Sequence, residues 1–343
     1  MYGSDSPGAL PETLRDLVLA QFAGRGDARI TPRAAINQPY SIVIKADVNT
    51  REHKQTLYIK IAKDSKSKLL ALMAQEYALL SFLAEAKLSN QINTPKPVLH
   101  STEPAAIVTM EMPGTPLDRL LRPATRIFPI RRHAEAAETA CRHLGQWLRA
   151  FHGSVPLELA ALKTLSYSDY CENRFAELSE RAPISLKRAE IDILKDFLAS
   201  SDLAIADKDR RVCHGDFSSH NILYAEGSIS VLDFTAFCAS LPEDDIMAFV
   251  GRIEDLSHQV FGSVAAGEKL IAAFLEGYGY AGPRSNPRIW LATLRWTLSK
   301  VISIQRARAR RPDVWYYNRR RAARYEATLK DIARLAAQNR PAW

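Results

Sequence analysis

The sequence predicts an α+β protein of two lobes, a small β-rich N-terminal lobe with one long helix and a larger, mostly helical C-terminal lobe. Three observations predict this class. β-like apolar runs are concentrated before residue 112. Helical apolar spacing dominates after residue 131, interrupted by a short β-like island at 212–234. Between the two regions a Pro-Gly-Thr-Pro sequence breaks the chain. The predicted lobes are therefore residues 1–112 and 113–343.

The N-terminal lobe is predicted to begin with a helix over residues 11–22, which ends before two glycines. A polar link, residues 47–55, joins two β-like runs and predicts a hairpin with a long loop. A second helix over residues 66–87 carries leucines at helical spacing and is predicted to be amphipathic. The predicted strands of this lobe are residues 40–46, 56–62, 98–100 and 106–110.

The C-terminal lobe is predicted to be helical on both sides of the β island, which has a predicted turn at Glu226-Gly227-Ser228. A Gly-x-Gly-x-x-Gly match at residues 277–282 follows a helical pattern instead of a strand. We therefore interpret it as a helix end and not as a dinucleotide site. The predicted helices are residues 131–151, 167–178, 187–198, 244–256, 265–275, 289–307 and 320–335.

The composition is that of an ordinary globular protein. The 343 residues are 47% hydrophobic and 24% charged, which excludes disordered and fibrous classes. No apolar run approaches the roughly 20 residues of a membrane helix, and the N-terminus does not have the pattern of a signal peptide. The four cysteines are widely spaced and form no Cys-x-x-Cys pair. We therefore expect a cytoplasmic protein with no membrane partner and no disulfide framework.

The net charge of +8 is unevenly distributed. Residues 284–343 contain 13 Arg and 2 Lys against three acidic residues, a local charge of +12, so the remainder carries −4. One interpretation is a pair of helices with solvated arginines. The other is a surface that faces an anionic partner or substrate. Nucleic acid is an unlikely partner, because aromatic residues interleave with the charges only at Trp315-Tyr316-Tyr317.

One short stretch concentrates polar residues between apolar runs, Cys213-His-Gly-Asp-Phe-Ser-Ser-His-Asn-Ile-Leu223. Asp216 and Asn221 are five residues apart, and Asp233 follows in a second apolar run. Phosphoryl transfer needs such a set, one carboxylate beside the attacking hydroxyl and oxygen ligands for Mg²⁺. The alternative is an Asx turn in which Asp216 and Asn221 only cap backbone groups.

Two charged residues of the first lobe lie inside apolar patterns. Lys60 stands among Leu57, Ile59 and Ile61 of a predicted strand, where an unpaired ammonium group would be costly. Glu76 lies among leucines on the following helix. An ion pair between Lys60 and Glu76 would solve both problems. The alternative for Lys60 is an edge-strand lysine that points to water.

The series His-Gly-Asp-x-x-x-x-Asn followed by an apolar-Asp-Phe strand resembles the aminoglycoside phosphotransferase and choline kinase-like family, small-molecule relatives of the protein kinases. The resemblance implies a two-lobed protein-kinase-like fold and transfer of a phosphoryl group from Mg·ATP to a hydroxyl. It implies that Asp216 is the general base or positioning group and that Asn221 and Asp233 hold Mg²⁺. It also implies that Lys60 grips the nucleotide phosphates, steadied by Glu76.

The stretch from Thr109 to Gly114 is similar to the hinge of this family, where backbone groups receive the adenine. By that resemblance Met110 offers its carbonyl, Met112 offers its N–H, and Thr109 lines the back of the pocket. The loop expected over the phosphates, residues 37–41, contains no glycine. Its candidates for phosphate contact are Ser41 and Gln38.

Two departures from the protein kinases weigh against a protein Ser/Thr kinase. Phe-Thr follows Asp233 where a protein kinase has Phe-Gly, and only eight residues separate Phe234 from Glu243. That is too short for a peptide-binding activation segment, so a small molecule is the expected acceptor. Because residues 284–343 are basic, a neutral or anionic acceptor is favoured over an aminoglycoside. Besides the protein kinase, the remaining alternatives are a nucleotide-binding pseudokinase or scaffold and an Arg-rich nucleic-acid-binding protein.

Overall fold

The structure, a computed structural model, describes residues 10–22, 27–38, 40–51, 53–64, 67–181, 186–259, 261–282, 286–310 and 312–338, with side chains described for all of these except 67–68, 179–181 and 307–320. The chain divides into two compact units. The first comprises Met1–Pro116 and Asn221–Thr235, and the second comprises Leu117–His220 and Ala236–Trp343.

The first unit is built on an antiparallel sheet of order β1-β2-β3-β6-β5. Leu14 and Val18 of the first helix pack in one core with Ile44, Leu57 and other apolar residues of this sheet. Strand β1, which contains Pro32, lies at the sheet edge, where the missing proline N–H interrupts no central ladder. The elements are α1 (Glu12–Ala20), β1 (Arg29–Asn37), β2 (Ser41–Asn49), β3 (Lys54–Ala62), α2 (Ser67–Ala86), β5 (Pro97–Thr102) and β6 (Ala105–Met110).

The predicted hairpin of β2 and β3 is present, but its loop is shorter than predicted. The two strands pair from Ser41 opposite Ala62 to Asn49 opposite Lys54. The polar residues of the link continue the strands because the buried carboxylate of Asp47 accepts a hydrogen bond from Thr56 (2.9 Å) and lies 2.9 Å from the Lys54 ammonium. A polar residue inside a strand is thus satisfied by its neighbours on the sheet.

Helix α2 packs against β5 and β6, with Met73, Leu79, Leu80 and Leu83 buried. These buried positions recur at helical spacing, as predicted, although the opposite face of the helix is also largely apolar. Residues Leu69–Ala86 are long and apolar enough to cross a membrane by length and composition, a test that core helices of soluble proteins also pass. The expectation that no segment reaches this length is corrected for this helix.

A second, smaller sheet completes the first unit, in the order β4-β10-β9-β7. Strands β9 and β10 form the hairpin of the predicted β island, and the predicted turn lies between them, with Gly227 at φ +78°. Strand β10 pairs in parallel with β4, and β9 pairs with β7. These strands are β4 (Ile92–Asn93), β7 (Thr115–Pro116), β9 (Ile222–Ala225) and β10 (Ser228–Val231).

The second unit is mostly helical, as predicted. Helix α4 packs against α8, and α9 packs against α5, α7 and α10. The C-terminal residue of α8 is followed by Gly279 at φ +75°, so the Gly-x-Gly-x-x-Gly stretch ends a helix as predicted. The elements are α3 (Asp118–Ala124), α4 (Arg131–Ser154), α5 (Tyr167–Arg181), α6 (Arg188–Ala204), β8 (Arg211–Cys213), β11 (Cys238–Ser240), α7 (Glu243–Ser257), α8 (Val264–Tyr278), α9 (Pro287–Arg310) and α10 (Pro312–Gln338).

The described arginine side chains of the two C-terminal helices are engaged in ion pairs. Trp315-Tyr316-Tyr317 and the arginines between residues 307 and 320 lie outside the described side chains. The arginines that are described pair with carboxylates of the second unit, which favours a structural role over an open anion-binding surface. The pairs are Arg288–Asp209, Arg295–Asp244, Arg306–Glu177, Arg321–Asp255, Arg324–Glu254 and Arg334–Asp331.

Candidate active site

Lys60 and Glu76 form an ion pair in the first unit. The Lys60 ammonium nitrogen lies 2.7 Å from Glu76 Oε2, and the two side chains are 19% and 10% exposed. Strand β3 lies between β2 and β6, so the alternative of an edge-strand lysine is wrong. The β3 backbone sets the position of Lys60, and α2 sets that of Glu76. Each charge is therefore held in place by the other in a poorly solvated site.

Thr235 extends this pair towards Asp233. The Lys60 ammonium also donates to Thr235 Oγ1 at 2.5 Å, and Thr235 Oγ1 donates to Asp233 Oδ1 at 2.6 Å. Asp233 has φ +59°, a left-handed backbone that Asp tolerates better than most residues. Sequence reasoning treated Thr235 only as a replacement for glycine. The structure instead makes its hydroxyl the bridge between a cation and a carboxylate.

These polar groups line a cavity of about 370 Å³ within the first unit. Its walls include the apolar side chains of Val43, Ile107 and Leu223. Thr109, Met110 and Met112 of the predicted hinge also line it, as does Gln38 of the glycine-free loop. Ser41 is buried and its hydroxyl donates to Gln38 Oε1 at 2.9 Å. The cavity thus combines apolar walls with a few convergent polar groups, the usual character of a ligand site.

The hinge backbone leaves one donor available. The Met110 N–H donates to the Lys96 carbonyl and the Glu111 N–H donates to the Thr56 carbonyl, both at 2.9 Å. Within the described part of the chain, the Met112 N–H has no such hydrogen-bond partner. The Glu111 side chain pairs with Lys45 at 2.6 Å, which fixes the strand end.

Asn221 and Asp233 are brought together by the β9–β10 hairpin. The Asn221 carbonyl accepts a hydrogen bond from the Leu232 N–H at 2.8 Å, which places Asn221 beside the residue that precedes Asp233. The Asn221 side chain is buried and the Asp233 side chain lines the cavity. An amide oxygen and a carboxylate are the hard oxygen donors that Mg²⁺ prefers, so these residues fit the ion.

Asp216 lies in the second unit, in the loop after β8. Its carboxylate is partly exposed, and His220 Nε2 lies 3.4 Å from Asp216 Oδ2. The preceding Gly215 has φ +80°, and a Cβ there would lie 2.0 Å from the Ala236 carbonyl oxygen. Only glycine fits this backbone position. The loop that presents Asp216 is therefore constrained by close backbone packing.

Asp245, at the start of α7, holds the same loop through its backbone N–H groups. Its carboxylate accepts hydrogen bonds from the backbone N–H of His214 (2.6 Å) and of Gly215 (2.9 Å). It also lies 3.1 Å from His152 Nε2 on α4. Burial alone would raise the pKa of Asp245, but the hydrogen bond and charge of His152 outweigh it and hold the pKa below its ordinary value.

The acidic run at the start of α7 does not form an exposed acidic surface. Glu243, Asp244 and Asp245 are all at least nine-tenths buried. Asp244 accepts a hydrogen bond from the Tyr167 hydroxyl at 2.7 Å and pairs with Arg295 at 3.2 Å. These three carboxylates therefore present no open negative charge to a ligand.

Lys300 on α9 is a cation that interacts electrostatically with Asp216. Lys300 is half-buried, and its ammonium nitrogen lies 5.6 Å from the centre of the Trp296 ring. Burial lowers the pKa of Lys300, partly offset by the negative charges of Asp255 and Asp216. The charges of Lys300 and Asp216 therefore interact within the second unit. Sequence reasoning missed this lysine, since nothing in the α9 pattern distinguishes it.

One cluster within the described residues has the spacing of a metal site, formed by His152, Cys213 and Asp245. The Asp245 oxygens are already engaged as described above, and the Cys213 thiol donates to the Leu241 carbonyl at 3.3 Å. Burial raises the pKa of Cys213 well above its ordinary value, which opposes the thiolate that a metal needs. We interpret the cluster as a structural hydrogen-bond network.

The fold and these side chains define a class of protein, the phosphotransferases with a kinase-like fold. The chain belongs to the phosphotransferase enzyme family (APH), whose model matches residues 47–289. The family resemblance inferred from the His-Gly-Asp series is thus confirmed. No curated protein matches the sequence.

Solved structures with the same fold span nearly the whole chain. One is an aminoglycoside phosphotransferase in a ternary complex with streptomycin and ATP (16% identity, 87% of this chain and 91% of that chain, TM-score 0.55). Another is a macrolide phosphotransferase from Brachybacterium faecium (18% identity, 97% and 100%, TM-score 0.51). A third is a choline/ethanolamine kinase family protein from Mesorhizobium loti (16% identity, 95% and 97%, TM-score 0.52). At these identities the likeness concerns the fold, and it confirms the predicted α+β, two-lobed, kinase-like class.

Proposed function

We propose that the protein transfers the γ-phosphoryl group of Mg·ATP to a hydroxyl group of a small molecule. One observation carries the proposal, the hydrogen-bonded series Lys60–Thr235–Asp233 with Glu76 behind it, which lines the cavity of the first unit. A cation fixed in an apolar cavity is a suitable partner for nucleotide phosphates. A structural ion pair would need neither the cavity nor the bridge to a second carboxylate.

The proposed nucleotide site assigns a role to each part of the cavity. Lys60 binds the α- and β-phosphates, and Glu76 holds its ammonium group in position. Val43, Ile107 and Leu223 provide the apolar surface for the base. The carbonyl of Met110 and the N–H of Met112 are the proposed adenine contacts. Gln38, held by the Ser41 hydroxyl, is the proposed polar contact of the loop.

Asn221 and Asp233 are the proposed Mg²⁺ ligands. When bound, the ion offsets negative charge on the phosphate oxygens, where phosphotransferases gain much of their rate. Thr235 donates to Asp233 and accepts from Lys60, so its hydroxyl would keep the carboxylate orientation tied to the phosphate-binding lysine. The left-handed backbone of Asp233 fixes the direction of that carboxylate.

Asp216 is the proposed acceptor of the substrate proton. As the acceptor oxygen forms its bond to the γ-phosphorus, the bond to the β–γ bridging oxygen breaks and ADP leaves. The hydroxyl proton passes to an Asp216 carboxylate oxygen. Asp245 and His152 act indirectly as positioning residues, because they hold the backbone of His214 and Gly215. The partly exposed Asp216 carboxylate remains accessible to a substrate.

A neutral or anionic acceptor is favoured over a polycationic one. Lys300 places a positive charge near Asp216, and the acidic run 243–245 is buried. A polycation would need open carboxylates, whereas a sugar or an acidic sugar would find a hydrogen-bond donor in Lys300. The four cysteines are buried free thiols, which supports our proposal of a reducing cytoplasmic location.

The test is Mg·ATP turnover, followed as ADP release, against neutral sugars, acidic sugars, choline-type amines and aminoglycosides. Asp216→Asn serves as the blank, and Asp196→Asn, at an exposed helical position of the second unit, is the matched control. Acceptor-dependent ADP release that is lost only in Asp216→Asn supports the proposal. Nucleotide binding without turnover on any acceptor would favour a scaffold. A protein that binds no Mg·ATP at all contradicts the proposed function.

A further inference from the structure

Five large apolar side chains are exposed at one place in the second unit. Three lie between α3 and α4, where Ile127, Phe128 and Ile130 are 55%, 90% and 63% exposed. Phe261 lies between α7 and α8 and Val264 is the first residue of α8, and they are 75% and 48% exposed. We call these five residues the apolar patch. Contiguous exposed apolar surface on a soluble protein commonly marks an interaction site.

Backbone hydrogen bonds join the two segments of the apolar patch. The Ile127 N–H donates to the Phe261 carbonyl at 3.1 Å, and the Ser263 N–H donates to the Thr125 carbonyl at 2.7 Å. Arg126 and Gly262 form a β-bridge between these bonds. The two loops are therefore held side by side, and their exposed apolar side chains belong to one surface instead of two separate loop tips.

Phe261 is retained at a position where its backbone is unfavourable. It has φ +70°, a left-handed conformation that costs a bulky residue of the order of 1 kcal/mol or more relative to glycine. Its side chain is mostly exposed, so burial in the core does not offset this cost. A strained and exposed aromatic residue is more readily explained by a contact outside the chain than by folding.

Arginines lie next to the apolar patch in both sequence and structure. Arg126 and Arg132 are exposed and, within the described part of the chain, their side chains form no ion pair. Arg131 pairs with Glu135 on the exposed surface of α4. This differs from the C-terminal helices, where the described arginines named above are paired with carboxylates. Positive charge next to the patch is therefore available to an anionic partner.

A basic cavity of about 380 Å³ adjoins the apolar patch. Arg122, Arg126 and Gln259 line it, together with Phe261 of the patch. The Arg122 guanidinium is oriented by hydrogen bonds to Gln259 Oε1 and to Asp118 Oδ2, both at 3.2 Å. Arg122 is ion-paired with Asp118, so Arg126 supplies the unpaired positive charge at this cavity, and the remaining N–H groups of both guanidinium groups are donors of the kind that a phosphate group accepts from.

We propose that this surface binds the face of a membrane bilayer that contains anionic lipids. The apolar patch enters the boundary between headgroups and acyl chains, and a lipid phosphate occupies the basic cavity beside it. A second copy of the chain is a poorer partner, because a symmetric contact would place the unpaired arginines of both copies against each other. This peripheral binding revises the sequence-based expectation of no membrane partner, and it does not depend on the proposed enzyme function.

The test measures binding of the full-length protein to vesicles of phosphatidylcholine alone and of equal parts phosphatidylcholine and phosphatidylglycerol. We expect binding only to the anionic vesicles, weakened by added salt. The double variant Ile127→Ser/Phe128→Ser should lower the partition coefficient at least about tenfold, since two apolar side chains no longer leave water. Arg126→Gln/Arg132→Gln should lower it about tenfold on the anionic vesicles.

Matched controls alter the same chemistry elsewhere in the second unit. Leu203→Ser removes an apolar side chain that is 91% exposed on α6, and Arg188→Gln removes an exposed charge at the start of the same helix. Both should bind vesicles like the unmodified protein, and all variants should keep the same unfolding midpoint. Failure of the unmodified protein to bind anionic vesicles, or equal loss in the controls, overturns the proposal. If the unmodified protein binds no vesicles but forms a dimer, and this dimer dissociates in the Ile127→Ser/Phe128→Ser variant, the surface belongs to a contact with a second copy instead.

Discussion

Glu76 in the first unit and Asp245 in the second are both buried carboxylates with a basic side chain as partner, yet their structural roles differ. Glu76 pairs with Lys60, whose ammonium group faces a cavity of about 370 Å³. Asp245 binds two backbone N–H groups and His152 and is 1% exposed. The first carboxylate positions a side chain for a ligand, whereas the second fixes the shape of a loop. What surrounds the partner decides the role of the carboxylate.

Removal of the two carboxylates should therefore change different measured quantities. Loss of a carboxylate that shapes backbone should reduce the free energy of unfolding, because buried N–H groups are left without acceptors. Loss of a charge that borders a cavity should instead mainly reduce ligand affinity, because the remaining partner faces the cavity and leaves no backbone N–H group without an acceptor.

Asp216→Asn should lower phosphotransferase turnover by about 10²–10⁴-fold, because an amide cannot accept the substrate proton. Nucleotide affinity and the free energy of unfolding should be nearly unchanged, since Asp216 is partly exposed and Asn keeps its size. Steady-state kinetics and nucleotide titration measure the two quantities. An equal loss of nucleotide affinity would show that Asp216 belongs with the binding groups and not with the loop that Asp245 supports.

Asp245→Asn should lower the free energy of unfolding by about 3 kcal/mol, because one partner of a buried hydrogen-bonded set is removed. Urea unfolding measures this change, with Asp196→Asn as the control at an exposed position. Glu76→Gln should cost less stability than Asp245→Asn. If Glu76→Gln proves the more destabilising, the distinction between ligand-facing and loop-shaping carboxylates is wrong.

Lys60→Met should weaken Mg·ATP binding by about 10–100-fold, the worth of charge-assisted hydrogen bonds to phosphate. Methionine keeps the apolar stem of the side chain on β3, so the unfolding midpoint should change little. Isothermal titration measures affinity, and Lys87→Met, at an exposed position after α2 in the first unit, is the matched control. Unchanged nucleotide affinity in Lys60→Met would remove the proposed phosphate contact.

Asp47 is a third buried carboxylate, at neither a cavity nor a loop of the candidate site. The hydrogen bond from Lys54 is the main cause that lowers the pKa of Asp47 to about 2 from an ordinary 3.8, with burial opposing it and Arg33 and Thr56 adding to it. A depressed pKa means that its stabilising contribution is complete above about pH 4 and is lost as the pH falls towards 2. The stability difference between the unmodified protein and Asp47→Asn should shrink over that window in acid-dependent urea unfolding. A constant difference would show that the carboxylate charge is not what Asp47 contributes.

Local pattern alone predicted seven of the eight α-helices described in the second unit and four strands of the first, because helical and strand periodicity depend on residues close in sequence. Helix α7, for example, was predicted at 244–256 and runs from Glu243 to Ser257. Helix α3 was not predicted. The pairing of Lys60 with Glu76 was also predictable, since each charge stands alone in an apolar pattern. Strand β1 was not predicted, because Pro32 interrupts its alternation and only the sheet edge accommodates it.

The class of protein could be read from the sequence, because the His-Gly-Asp series with Asn221 and Asp233 resembles the family whose model matches residues 47–289. The partners of these residues depend instead on the fold. The Thr235 hydroxyl meets Lys60 across 175 positions of sequence, and Asp245 meets the backbone of His214 across 31. Such contacts arise from the packing of distant elements, for which periodicity carries no signal. For the same reason the apolar patch could not be predicted from the sequence, because its two segments become neighbours only through backbone hydrogen bonds in the folded chain.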